Sequence, residues 1–183
     1  MGIFNFFKKK NVGPAVKTLV WVSAAAKQKG CADLLQNMPG AIVIAWFPET
    51  QRVFQAYFQR QGLPHMVLLA RQTTSLQLNG KKIVLLERYP LYHREHDFLV
   101  QLQDVEITAL VSMDEPLMLY FGGERLISLM GKMGMDENEA MEHTMINSAI
   151  ENAQKKLDGR VLDEQGFSQS MEEWFQKNNA GKS

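Results

Sequence analysis

The densest group of ionisable side chains in the 183-residue sequence is His93-Arg94-Glu95-His96-Asp97. On a helix His93 and His96 share a face and Asp97 stands one turn from His93, so two imidazoles and a carboxylate could meet a divalent cation. Arg94 and Glu95 interleave with them, and no third strong ligand lies nearby in sequence. The run therefore reads as a solvated charged face, and no metal is expected. Glu142-His143 with Glu139 has the residue types for proton transfer. Cys31, the single cysteine, has no histidine beside it and reads as a small buried apolar group. Ser23 lacks the flanking glycines of a nucleophile elbow. Asn79-Gly80-Lys81-Lys82 reads as a solvent-facing turn. No G-x-x-x-x-G-K-[ST] occurs, so no glycine loop cradles a triphosphate. No catalytic residue and no cofactor are expected.

Composition narrows the classes further. Hydrophobic residues make up 45% and charged residues 22%, an ordinary globular balance that suits one domain with its own core. Lys plus Arg and Asp plus Glu are both 20, so no net positive charge points to nucleic acid as a partner. A lone cysteine permits no internal disulfide, and a reducing, cytoplasmic setting is expected. No apolar run approaches the roughly 20 residues that span a bilayer. The opening MGIFNFFKKK puts its charges after an apolar run, unlike a secretory signal, and Phe6 stands where a myristoylation pattern needs Ser or Thr. Ile3, Phe4, Phe6 and Phe7 with Lys8, Lys9 and Lys10 could touch a lipid surface, but a tail that frays or packs on the domain is the favoured reading.

Five apolar runs supply the elements. Residues 18–22, 41–47, 66–70, 83–86 and 105–111 read as strands, too continuously apolar for one wet face and so buried on both sides. Between them, residues 24–38 read as a helix capped by Ser23 and broken near Gly30, residues 48–61 as a helix from Pro48 to a stop at Gly62, and residues 90–103 as a third helix. The pattern predicts a three-layer α/β sandwich with a mainly parallel five-stranded sheet and right-handed crossovers. Asp114 is expected to cap the next helix, which carries Leu117, Met118, Phe121, Leu126, Leu129, Met130 and Met133. Asp136 is expected to cap a long helix whose stripe Met141, Met145, Ile146, Ala149, Ile150, Ala153 and Leu157 must lie on its own lobe or on another chain. Residues 161–183 read as a short docked helix with a loose end. The domain reading is a tail at 1–13, a lobe at 14–135 and a helical extension at 136–183.

Residues 112–160 carry a resemblance. Ser112, Met113, Asp114, Leu117-Met118, Phe121, Glu124-Arg125, Met130, Lys132 and Met133-Gly134-Met135 are followed in order by Glu139-Ala140, Glu142-His143, Ala149-Ile150, Glu151-Asn152-Ala153-Gln154-Lys155 and Arg160. This run is similar to SecA, the preprotein-translocase motor ATPases, where the second RecA-like motor lobe ends and the long scaffold helix begins. Glu87-Arg88, with Arg94 and Asp97 more loosely, resembles the preceding SecA strand and turn. The resemblance implies a RecA-like lobe and places Glu142-His143 at a structural turn into the scaffold helix.

The motor groups that the resemblance would bring are missing. Leu85-Leu86 stand in place of the family's G-T pair, and Arg71-Gln72-Thr73-Thr74-Ser75 in place of G-R-G-T-D. Leu99-Val100-Gln101-Leu102-Gln103 replaces a G-R-A-G-R run, with no arginine between Arg94 and Arg125. Without a finger arginine, phosphoryl transfer loses a factor of about 10³ or more. The expectation is a pseudo-ATPase: a lobe that binds another protein or a second copy of itself through Met118, Phe121, Met130, Met141, Met145 and Ile150. The alternatives are a half-motor in protein export completed by a partner chain, and a peripheral membrane adaptor held by residues 1–10.

Overall fold

The computed structural model describes residues 13–120, 122, 138–142, 144–178 and 180, with backbone alone for Thr144 and Met145. Strands β1 (Val16–Trp21), β2 (Ile42–Ala45), β3 (Val67–Leu69), β4 (Lys82–Leu85) and β5 (Glu106–Ser112) form one sheet in the order β1-β5-β4-β2-β3. Every pairing is parallel, from Val16 opposite Ile107 to Val43 opposite Val67. The expected strands differ from these by one or two residues at their ends.

The apolar continuity of the strands has its reason in the layers. Val43, Ala45, Val84 and Leu110 face one side, and Ile44, Ile83, Leu85, Ile107 and Ala109 the other. Helices α1 (Ala24–Gln36) and α2 (Pro48–Gln61) cover the first face through Cys31, Leu35, Phe54 and Phe58. The single turn α3 (Ser75–Leu78), helix α4 (Tyr92–Leu99) and the chain just after it cover the second through Leu78, Leu99 and Leu102. A parallel sheet wrapped on both faces is consistent with a RecA-like α/β sandwich.

Local signals set the helix ends. Ser23 accepts a hydrogen bond from the Ala26 N–H at 3.2 Å, starting α1. Gly30, expected to interrupt that helix, does not. The Trp21 indole lies where its Cβ would stand, 2.5 Å from that position, so glycine is required for close packing and the helix runs through. Pro48 opens α2, and Gly62, at φ 67°, closes it.

A third core lies beyond the sheet's carboxyl end. Helices α5 (Pro116–Tyr120), α6 (Thr144–Asp158) and α7 (Met171–Lys177) bring Leu117, Ile150, Leu157, Trp174 and Phe175 against Val20 and Val111. Of the two coverings open to the long helix, its own lobe is the one adopted: α6 packs on α4 and β1. Just before it, Met141 bridges Val20 antiparallel, with N···O distances of 2.8 and 3.0 Å, and so occupies the open edge of β1.

Candidate functional site at the carboxyl edge of the sheet

From β2 the chain leaves through α2 toward β3, and from β4 through α4 toward β5. These exits lie on opposite faces of two neighbouring strands, so a switch point opens between β2 and β4, where open α/β sheets seat ligands. Glu87, just past β4, fills that seat. Its Oε1 accepts from the N–H groups of Trp46 at 2.9 Å and Phe47 at 3.0 Å, and its Oε2 from the Thr50 hydroxyl at 2.6 Å. These donors at the start of α2 are of the kind that would otherwise hold an anion. Burial drives the Glu87 carboxyl up to about 7, against the opposing pull of the Thr50 hydroxyl, Lys27 and the Phe47 N–H.

Beside it, the buried Lys27 of α1 donates to the Leu86 carbonyl at 2.8 Å, pairs with Glu115, and sits 5.5 Å from the centre of the Phe54 ring. Burial pushes Glu115 up while Lys27 pulls it down, and the net shift is upward. Its Oε1 also accepts from Ser112 Oγ at 3.2 Å. Asp114, expected to cap α5, has its Oδ2 on the Ala24 N–H at the start of α1, at 3.0 Å. Lys27, Thr50, Glu87 and Glu115 line a cleft of about 470 Å³, with Ser170 and Met171 on its outer wall. The C-terminal segment is tied there by the Glu49 N–H donating to the Gln169 carbonyl at 2.9 Å.

Arg88 points into the interior instead. Its Nε donates to Glu95 Oε1 and its Nη2 to Oε2, both at 2.8 Å, with the two side chains 3% and 2% exposed. Its Nη1 reaches Asn147 Oδ1 at 2.8 Å and Thr18 Oγ1 at 3.2 Å. Gln154 Nε2 donates to Glu95 Oε2 at 2.7 Å and to the Tyr89 carbonyl at 2.6 Å. Burial pulls the guanidinium's pKa down, but Glu95 more than reverses this, and the group stays charged. This network ties β1, α4 and α6 together at the residues next to the switch point.

The predicted site residues scatter. His93 Nδ1 lies 2.9 Å from Asp158 Oδ1, His96 stacks on Tyr92 at 5.4 Å between ring centres, and Asp97 is exposed. Glu95, expected on a solvated face, is buried instead, because Arg88 supplies its countercharge. Among the described residues no three His, Cys, Asp or Glu side chains are grouped to hold a metal. Met118 and Ile150, expected to face a partner, are 4% and 1% exposed inside the third core, because α6 folds onto its own lobe. Met141 is half-buried in its bridge to Val20. Phe121, Met130 and the Met145 side chain lie outside the described residues, as do Asp136, His143 and residues 1–10. Glu142 pairs with Lys17 at 2.7 Å. Lys27 and Glu87 are not among the predicted site residues, although Glu87 stands just past an apolar strand and Lys27 in the first turn of the helix that follows one, where the sheet's carboxyl edge must lie.

No protein-family model matches the chain. It is similar to the protein translocase subunit SecA of Alkaliphilus oremlandii, 50% identical over 50 residues, which is 27% of this chain and 6% of that protein. The SecA subunit of Acidithiobacillus ferrooxidans is 51% identical over 53 residues, and that of Syntrophus aciditrophicus 43% over 53, each covering 29% of this chain and 6% of the relative. The chain carries a SecA-related segment. It spans about 6% of the length of these relatives, and the SecA-related part accounts for less than a third of it. No helix among the described residues is long and apolar enough to cross a membrane.

Proposed function

We propose that this chain is a SecA-related module of a protein-translocation system that works by binding protein in a reducing, cytoplasmic setting and does not hydrolyse ATP by itself. The observation that carries the reading is Glu87 seated on the donors at the start of α2. A phosphate arriving there must first expel the Glu87 carboxyl from three hydrogen bonds, each worth about 0.5–1.5 kcal/mol to the neutral group and about 1.5–3 kcal/mol to the ionised one. The cations nearby are already engaged. Lys27 is held by Glu115, Arg88 by Glu95, and Arg94 Nε by Glu164 at 2.9 Å. None of them is poised to meet charge developing on a phosphoryl group.

The partner is a protein or a second copy of this chain, met through surfaces other than Met118 and Ile150. Isothermal titration of the full chain with ATP and magnesium tests the first half of the reading. No saturable heat is expected, and a micromolar dissociation constant would overturn it. Sedimentation velocity then separates a self-associating protein from a monomer that awaits another chain. A second reading, a half-motor completed in trans, is favoured by the cleft of about 470 Å³ that stays open beside Lys27 and Thr50. ATP turnover on mixing with a separate lobe bearing a glycine loop would support it.

A further inference from the structure

The sheet has two edges, and the chain itself occupies part of each. At one, Met141 bridges Val20 of β1. At the other, β3 pairs with β2 on its inner side, and its outer side is met by two side chains of α2. Gln55 Oε1 accepts from the Val67 N–H at 2.8 Å while its Nε2 donates to the His65 carbonyl at 3.3 Å, and Gln51 Nε2 donates to the Val67 carbonyl at 2.8 Å. We propose that Gln51 and Gln55 are gatekeepers that hold β3 shut against strand pairing with a second copy of this chain.

The pattern of bonds shows what the two side chains stand in for. A side-chain amide carries the same kinds of donor and acceptor as a peptide group, and Gln55 spends both on backbone groups of β3, as a neighbouring strand would. Val67 turns its N–H and C=O outward, so by the two-residue period of a strand residues 65 and 69 face the same way. Gln51 and Gln55 are one turn apart on α2, which puts both amides on one side of that helix.

A second β3 is the strand kept out, because this edge is complementary to itself. Two copies related by a two-fold axis at Val67 would set Val67 against Val67 in a pair that exchanges both hydrogen bonds, with His65 opposite Leu69 on either side. The same join would bring Met66, 70% exposed, and the half-buried Leu68 against their counterparts and remove apolar surface from water. Edge strands are commonly blunted by lysine, proline or an inward charge, and residues 65–70, His-Met-Val-Leu-Leu-Ala, carry none of these. Its short length and the two glutamines are what protect β3.

Sedimentation velocity of the full chain from about 10 to 500 µM covers the weak affinities that so small a contact allows. The double variant Gln51→Ala with Gln55→Ala keeps α2, since alanine is the best helix former, and is expected to lower the dimer dissociation constant at least about 10-fold relative to the parent. Gln59→Ala, at an exposed position one turn further along the helix, should behave as the parent does. Adding Met66→Lys to the double variant sets two ammonium groups on diagonal neighbours about 7–8 Å apart across the join and should restore the parent's behaviour. Should the double variant fail to fold, the single variants carry the same comparison, each expected to tighten association about 3-fold. Amide hydrogen exchange gives a readout that needs no dimer: the Val67 N–H should be protected in the parent and exchange at least about 10-fold faster in dilute Gln55→Ala. The proposal is overturned if the folded variants associate no more than the parent, if Gln59→Ala associates as strongly as they do, if Met66→Lys leaves the association intact, or if Val67 exchanges as fast in the parent as in Gln55→Ala.

Discussion

Replacing Arg88 by Met withdraws the cation from a carboxylate that has almost no access to water. Glu95 would keep Gln154 Nε2 at 2.7 Å and a long contact from the Tyr89 N–H at 3.4 Å, with no countercharge in place. Removing one partner of such a buried pair costs about 3–5 kcal/mol, a large share of the roughly 5–15 kcal/mol that holds a domain folded. The second half of the cycle is Glu95→Leu in the same chain. With both charges gone, the Thr18 hydroxyl still donates to Asn147 Oδ1 at 2.7 Å, and Gln154 still donates to the Tyr89 carbonyl at 2.6 Å. The double variant should therefore cost no more than either single change, with a coupling energy of about 3 kcal/mol or more. Urea unfolding followed by far-ultraviolet circular dichroism, with the slope against urea unchanged, measures all four corners of the cycle. A single-variant cost below about 1 kcal/mol, or a double variant equal to the sum of the singles, would refute the claim that Arg88 is structural.

Three further outcomes follow from the packing and the carboxyl edge. Glu87 has its pKa raised to about 7 by burial, so the folded state holds a proton that the unfolded chain, near 4.5, releases sooner; stability should fall as pH rises through that window, by up to about 3 kcal/mol. Glu87→Gln, which keeps an oxygen for Trp46 and Phe47, should flatten that slope in melting temperature against pH, and an unaltered slope would show that Glu87 is not its source. Gly30→Val places carbon atoms inside the Trp21 indole and should cost about 1–3 kcal/mol in urea unfolding, and a neutral result would contradict the close packing of α1 on β1. Trp174→Ala, at a site 1% exposed, should cost about 3–5 kcal/mol and make residues 161–183 sensitive to brief proteolysis, whereas unchanged resistance would mean that α7 is held by something other than this ring.

Much of the framework was legible because neighbours in sequence encode it. The apolar run at residues 41–47 could only be a strand covered on both faces, and Pro48 with Gly62 bounds α2 by backbone preference alone. Ser23 caps α1 by a contact three residues long. These are local matters of periodicity, φ angle and capping, and the missing glycine loop can likewise be read without coordinates. The errors share one cause. Glu95 looked solvated, Met118 and Ile150 looked available, and Gly30 looked like a break, because in each case the deciding group comes from elsewhere in the fold: Arg88 from just past β4, the shared core of α5, α6, α7 and β1 for Met118 and Ile150, Trp21 from the adjoining strand.

The sequence by itself determined that there are five buried strands, where α1 begins, where α2 begins and ends, and which phosphate-binding motifs are missing; the short α3 and the true extent of α4, Tyr92–Leu99 rather than 90–103, came only from the structure. Only the tertiary structure decided that β2 and β4 are neighbours, and therefore that Glu87 closes the seat between them. Backbone preference reaches a few residues along the chain. Strand order and the partner of a buried charge are set by which surfaces meet when the chain collapses, between residues that no local pattern links.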